Sequence, residues 1–125
     1  MLYMMKKNLN PKSYSHEYSP IQELKSAKEF GGVLQPNSGR GYKKGDWVKY
    51  SKNGEKLLVV DDKNTTKSSF SVTRKILEKI ENDALGQNAL PLLHVEINSD
   101  TISAKEFFVM PKWALLALLA ELENE

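Results

Sequence analysis

The sequence contains no cysteine and only two histidines, and both scarcities limit the chemistry open to the protein. Without cysteine the chain has no disulfide and no thiolate ligand for a metal. His16 and His94 lie far apart in the sequence, which disfavours a zinc site built on histidine. We therefore expect any bound metal to be a hard cation with oxygen ligands. The lack of cysteine also fits a reducing cytoplasm.

The sequence also lacks a long apolar run. The longest, from Trp113 to Ala120, covers about two helical turns, which is too short to span a bilayer. The first ten residues lack the apolar core of a secretory signal. We expect a soluble protein with no membrane partner, located in the cytoplasm, or in the host cell cytoplasm if a phage encodes it.

Charge is small in total but unevenly distributed. The net charge is +2, and the acids concentrate at the C-terminus. A local basic surface favours a polyanion such as DNA even when the total charge is low. A solvated surface without any ligand explains the same lysines about as well. The clustered basic residues are Arg40, Lys43, Lys44, Lys49, Lys52, Lys63, Lys67, Arg74 and Lys75.

The spacing of apolar residues predicts one α/β domain over residues 18–125, preceded by a flexible arm of residues 1–17. The elements follow the order α-β-β-β-α-β-β-α, which predicts a mixed five-stranded sheet flanked by helices. Their predicted bounds are residues 20–30, 33–35, 47–50, 56–62, 72–85, 92–97, 106–110 and 112–122. Ser69 or Ser71 can cap the helix over residues 72–85. Ser19 and Gln22 form a capping-box pattern at the first helix. Asn53–Gly54 predicts a tight hairpin turn.

The third predicted strand is apolar on both faces and ends in charged residues. Its run Leu57–Val60 predicts a central strand covered on both sides, and Asp61, Asp62 and Lys63 follow. Side chains alternate along a strand, so Asp61 and Lys63 share one face and Asp62 points to the other. Charges at this position are costly unless they open to a cleft or bind an ion.

A second carboxylate, Asp46, starts the neighbouring strand and would lie near Asp61 in a hairpin. Two carboxylates and an ammonium beside a basic loop can hold Mg²⁺ next to a phosphodiester. Asp46 and Asp61 would be ligands, with the backbone carbonyl of Asp62 and the carboxylate of Glu23 completing the shell. Lys63 would orient the attacking water or help to deprotonate it. A polar end to a strand is the simpler explanation of the same tripeptide.

Two polar segments supply candidate DNA contacts. The loop with Gly39, Gly41 and Gly45 can bring backbone N–H groups close to phosphate. Hydroxyls in the connector after the third strand can donate to phosphate, or can simply satisfy the backbone there. Trp47 and His94 are predicted to be structural. The candidate DNA contacts are Arg40, Tyr42, Lys43, Lys44, Thr65, Thr66, Lys67 and Ser68.

Several of these residues occur in the order that is typical of one nuclease superfamily. Its members carry a Glu on the first helix, an Asp at a strand start and a (D/E)-x-K at the end of the next strand. Over roughly residues 20–114 the chain resembles the PD-(D/E)XK nucleases, and most of all the phage and archaeal Holliday junction resolvase-like endonucleases. The matching residues are Glu23, Ala27–Gly32, Asn37–Gly39, Lys44–Asp46, Asp61–Thr66, Ser68, Ser71 and Phe108–Pro111.

The resemblance implies a restriction-endonuclease-like fold and Mg²⁺-dependent cleavage of branched DNA by a homodimer. Mn²⁺ is expected to substitute for Mg²⁺. The implied catalytic set is Glu23, Asp46, Asp61 and Lys63, and Ser38 matches a loop serine that approaches DNA in such resolvases.

Three alternatives stay open at this point. Glu17 is a rival to Glu23, although the spacing to Gly31–Gly32 favours Glu23. Asp61 stands where these relatives usually carry Glu, so a DNA-binding protein with weak turnover is conceivable. A nuclease of the same fold acting on ordinary duplex, or an interaction module using the leucine-rich last helix, would share most of these features.

Overall fold

A computed structural model describes residues 22–35, 45–98 and 105–124. Its α/β architecture, a five-stranded mixed sheet with helices in the predicted order, confirms the predicted fold class. The predicted N-terminal arm and the glycine-rich loop over residues 36–44 lie outside the described residues. The elements are α1 (22–29 within the described residues), β1 (Val33–Leu34), β2 (Trp47–Tyr50), β3 (Lys56–Thr65), α2 (Arg74–Leu85), β4 (Leu90–Ile97), β5 (Lys105–Val109) and α3 (Lys112–Glu123).

The sheet has the order β1-β2-β3-β4-β5, so β3 is its central strand as predicted. Only the β3–β4 pair is parallel among the described strands, and α2 forms the crossover that a parallel pair requires. Pairing with β4 continues to Thr65, so β3 runs three residues beyond its predicted end at Asp62. Asp61–Lys63 therefore lies within the strand, where backbone pairing with β4 fixes the face to which each side chain points.

Helices cover both faces of the sheet. On one face α1 packs through Ala27 against Trp47 and Val60. Trp47 is only 1% exposed, which confirms the prediction that it belongs to the core. On the other face, α2 buries Ile80 and Ala84 against the sheet. Successive valines of β3 thus serve different layers, because neighbouring side chains on a strand point to opposite faces.

The cap of α2 differs from the sequence prediction. The sequence suggested Ser69 or Ser71, but Thr73 is the N-cap, and its Oγ1 accepts a hydrogen bond from the Ile76 N–H at 3.2 Å. Thr73 has extended backbone angles, as an N-cap requires, and the helix begins at Arg74 rather than at Val72.

Two glycines turn the chain from α1 into β1. Gly31 has φ +66°, and the Gly32 N–H donates to the Ala27 carbonyl at 2.6 Å, which is a Schellman ending. Gly32 also lies directly against Trp47. A Cβ on Gly32 would be 2.7 Å from Trp47 Cζ3 and 2.8 Å from the Val48 carbonyl oxygen. The second glycine is therefore required for packing.

Gly32→Ala is expected to destabilise the protein by about 1–3 kcal/mol, because the added methyl overpacks the core at Trp47. Urea unfolding measures the difference. Gly86→Ala is the matched control, since Gly86 has φ −63° and the nearest atom to its added Cβ would be the Asn82 carbonyl oxygen at 3.4 Å. Equal losses in the two variants would contradict this view of the α1–β2 contact.

The last helix, α3, is attached by one side only. Apolar residues nearly surround this helix in the sequence, a pattern that predicts burial on more than one side or packing against another subunit. Ala114 is its fully buried residue, and the Trp113 indole N–H donates to Glu81 Oε2 on α2 at 2.9 Å. The leucines of α3 are exposed or half-buried within this chain. No helix in the described part of the chain has the length and apolar character needed to cross a membrane.

Candidate active site

Asp46 is held at the start of β2 by its backbone neighbours. Gly45 has φ +91°, a left-handed turn that favours glycine, and the Asp46 N–H then donates to the Val60 carbonyl at 2.8 Å. Asp46 Oδ2 accepts the Asp62 N–H at 2.6 Å. This short bond fixes one carboxylate oxygen against β3. The predicted proximity of Asp46 to the Asp61–Lys63 segment is therefore present in the structure.

Glu23 is brought to the same place by its neighbour on α1. The Gln22 side chain donates to the Lys63 carbonyl at 3.2 Å and accepts from Asn64 Nδ2 at 2.9 Å. These bonds tie the first described turn of α1 to β3, so the amide side chain predicted for a capping box is used in tertiary contact. Glu23 follows directly and shares a hydrogen bond with Asp46.

The electrostatics show that these acids are crowded. Burial, the Asp61 charge and the Glu23 charge raise the pKa of Asp46 to about 8, despite its bond from the Asp62 N–H. Burial also raises the pKa of Glu23; the hydrogen bond with Asp46 lowers it, and the charges of Asp62 and Asp61 raise it again. Near neutral pH Asp46 therefore keeps its proton. A cation bound among these acids would stabilise their ionised forms and so lower their pKa values.

Lys63 contributes a positive charge to this face of the sheet. Its Nζ lies 3.2 Å from Asp61 Oδ2, which confirms that the two side chains share a face. Asp61 Oδ2 is buried and accepts no hydrogen bond from the described residues, so the ammonium is an ion-pair partner only. The Lys63 side chain remains 38% exposed. It can therefore reach both Asp61 and a ligand in solvent.

A second lysine near the acids was missed by the sequence analysis. Lys79 on α2 donates to Asp83 Oδ2 at 2.9 Å. Burial lowers the pKa of Lys79, but the bond to Asp83 and the charges of Asp61 and Asp46 outweigh burial and raise it. Lys79 is one of many helical lysines in the sequence, and only the packing of α2 over the Asp61 face reveals its position.

On the opposite face, Asp62 takes part in a buried charge network. Asp62 Oδ1 lies 2.8 Å from His94 Nδ1, and Glu106 Oε1 lies 2.9 Å from His94 Nε2. Burial lowers the pKa of His94, but the bonds to Asp62 and Glu106 outweigh burial and raise it. Both ring nitrogens thus lie within hydrogen-bond distance of carboxylates. The sequence predicted a structural His94 and placed Asp62 on the face opposite Asp61. It did not predict their contact, which depends on the parallel β3–β4 register that pairs these two residues.

Ser26, His94 and Glu106 have the residue types of a hydrolase triad, but their arrangement does not support that chemistry. Ser26 Oγ lies 2.8 Å from His94 Nδ1, yet Ser26 is only 4% exposed. Phe108 also stacks on the imidazole, with ring centroids 4.6 Å apart. Both ring nitrogens already contact carboxylates, so neither is free to act as the base for a serine. We assign the network a structural role.

Carboxylates are the ligand type that a hard cation prefers, but these do not form a complete coordination shell by themselves. Among the described residues, no group of three His, Cys, Asp or Glu side chains is placed to hold one metal ion. Mg²⁺ commonly binds through one or two carboxylates and keeps several waters, so a site of this kind would not need a third side chain. The buried oxygen of Asp61 without a hydrogen-bond donor suits this role. The ligand roles of Asp46, Asp61, Glu23 and the Asp62 carbonyl stay predictions.

The candidate DNA contacts divide into two groups. Ser38, Arg40, Tyr42, Lys43 and Lys44 lie outside the described residues. Of the others, Thr66, Lys67 and Ser68 are exposed after β3, and Thr65 Oγ1 accepts the Lys67 N–H at 3.1 Å. The hydroxyl of Thr65 thus already satisfies the backbone of the connector.

Comparison of the chain with protein-family models, with curated proteins and with solved structures gives no significant match. No comparison supports the resemblance to the PD-(D/E)XK nucleases, which stays a prediction from the motif residues.

Proposed function

We propose that this protein is a Mg²⁺-dependent endodeoxyribonuclease that cleaves branched DNA, acting in the cytoplasm as a homodimer. The observation that carries the proposal is the gathering of Glu23, Asp46 and Asp61 from three elements, with the Lys63 ammonium 3.2 Å from Asp61. Clusters of acids with raised pKa values beside a partly exposed lysine are more typical of active sites than of surfaces.

Each residue has a distinct task in this proposal. Asp46 and Asp61 would hold the cation, and Glu23 would stabilise Asp46 from α1. A bound Mg²⁺ would supply an activated water and neutralise charge on the pentavalent phosphate. Lys63, exposed on one side, would orient that water by donating to it. Lys79 would balance the remaining negative charge from the α2 side.

Divalent-metal affinity is expected to rise about tenfold per pH unit between about pH 6 and 8, because binding must displace the proton on Asp46. The pKa of Asp46 is raised from 3.8 to about 8 in the folded protein, so its ionised form is scarce below about pH 7. Calorimetric titration with Mn²⁺ or Mg²⁺ in two buffers of different ionisation enthalpy measures both affinity and proton release. Affinity independent of pH, with no proton released, would contradict Asp46 as a ligand.

The activity test compares a four-way junction with a linear duplex of the same sequence, each with Mg²⁺ or with EDTA. Symmetric cuts in the junction that require Mg²⁺ support the proposal. Equal cutting of the duplex would instead indicate a duplex nuclease of the same architecture. Binding without cleavage in every metal would leave a DNA-binding protein and overturn the enzymatic proposal.

A further inference from the structure

The exposed side of α3 is a continuous apolar surface. Leu115, Leu119 and Leu122 are spaced by four and three residues, so they align on one face of the helix, with Leu116 beside them. Their exposed fractions are 45%, 46%, 56% and 57% respectively. Trp113 and Ala114, which attach α3 to the rest of the chain, lie on other sides of the helix. We call these four leucines the leucine face.

The charges at the ends of α3 are reversed relative to the helix dipole. Lys112 occupies the first turn, where the dipole favours acids, and Glu121 and Glu123 occupy the last turn, where it favours bases. The N-cap Pro111 makes no side-chain cap bond. Within one chain, therefore, both ends of this helix carry the unfavourable sign of charge.

Lys112 and Glu123 also lie on the same stripe as the leucine face. Lys112 precedes Leu115 and Leu116 by three and four residues, and Glu123 follows Leu119 by four. The stripe thus has a positive end, an apolar centre and a negative end. A second copy lying antiparallel would match each of these regions, whereas a parallel copy would oppose like charges.

We propose that the leucine face binds the same face of a second copy, with the two α3 helices antiparallel about a twofold axis. Leu116 then faces the partner subunit's Leu119, and Lys112 faces the partner subunit's Glu123. Each reversed charge also meets the end of the neighbouring helix whose dipole it suits. The same patch serves both copies, as twofold symmetry requires. This contact supplies the interface of the homodimer in the proposed function, but it does not depend on cleavage.

The surface leaves the candidate active site free. The end of α3 faces the N-terminal part of β3, where Lys56 and Leu57 line a groove of about 300 Å³ with Ala117 and Glu121. Asp61 and Lys63 lie in the other half of β3. Self-association through α3 therefore places two acid clusters in one particle.

Sedimentation equilibrium without DNA or metal tests the inference. Protein concentrations from about 1 to 300 µM cover the dissociation constants expected of a weak dimer. The wild-type chain is expected to dimerise, and Leu119→Lys is expected to weaken the dimer by about a hundredfold or more. Leu24→Lys, which changes a leucine of similar exposure on α1, should leave the dimer unchanged. A wild-type chain that stays monomeric, or a Leu119→Lys variant that dimerises normally, overturns the inference.

Charge reversal tests the orientation separately. In an antiparallel pair, Lys112→Glu places two acids together and should weaken the dimer by about fivefold to tenfold. Adding Glu123→Lys restores opposite charges and should return the affinity to near the wild-type value. In a parallel pair like charges face each other in all three proteins, so unchanged affinity throughout overturns the antiparallel arrangement. None of these outcomes bears on DNA cleavage, so the catalytic proposal can fail or hold independently.

Discussion

Asp46→Asn should lower Mg²⁺-dependent DNA cleavage by about a thousandfold or more, because a cation is worth several kcal/mol to the transition state. Asparagine keeps the shape and the acceptor for the Asp62 N–H, which lies 2.6 Å from Asp46 Oδ2. It removes only the negative charge that would bind the cation. Single-turnover cleavage of a four-way junction measures the loss. Glu78→Gln, an acid-to-amide change in an exposed pair with Arg74, is the matched control and should retain activity.

The same substitution separates a catalytic loss from a folding defect. Asp46 has a raised pKa in the folded state, so the folded protein binds a proton that the unfolded chain releases, and stability falls as pH rises from about 4 to about 8. Above that range the Asp46→Asn substitution removes a carboxylate whose ionisation is unfavourable. The metal-free variant should then be at least as stable as the wild-type protein at alkaline pH. A variant that is both inactive and clearly less stable there would not support Asp46 as a ligand.

His94→Ala should destabilise the protein by about 3–5 kcal/mol, since it leaves the buried Asp62 carboxylate without its charged partner. The Asp62 side chain is 0% exposed, and its Oδ2 already has no hydrogen-bond donor among the described residues. Urea unfolding near neutral pH measures the change. Adding Asp62→Asn to His94→Ala should recover part of the loss, because an amide is cheaper to bury than a charge.

Glu106→Gln is the matched control for His94. Glu106 contacts the other ring nitrogen at 2.9 Å, but its side chain is 41% exposed on the edge strand β5. Water can replace much of that interaction, so the loss should stay below about 1 kcal/mol. Similar losses for His94→Ala and Glu106→Gln would show that burial of Asp62 is not what makes this network important.

The sheet was predictable because its signals are local. The double-sided apolar run of Leu57–Val60 identified the central strand, and Asn53–Gly54 identified the hairpin, where Gly54 has φ +86°. The end of β3 was wrong by three residues because Asn64 and Thr65 look polar, and their pairing with β4 is not visible locally. Thr73 was missed as a cap because several hydroxyls precede α2, and only backbone angles select one.

The candidate site was predictable in part for the same reason. Alternation along a strand correctly placed Asp61 with Lys63 and opposite to Asp62, as the Lys63 and His94 contacts show. Glu23 was expected beside Asp46, but most other contacts between distant segments were not predictable from one sequence. Only the packing of α2 brings Lys79 close enough for the charges of Asp61 and Asp46 to raise its pKa.

Anomalous diffraction from a Mn²⁺-soaked crystal tests the central claim most directly, that Asp46 and Asp61 share a cation beside Lys63. The crystal should be kept above the pKa of Asp46, so that its carboxylate is ionised. A manganese peak is expected at about 2.2 Å from an oxygen of each carboxylate, on the side of the sheet that carries Lys63. A map with strong manganese peaks elsewhere and none joining Asp46 and Asp61 would contradict it.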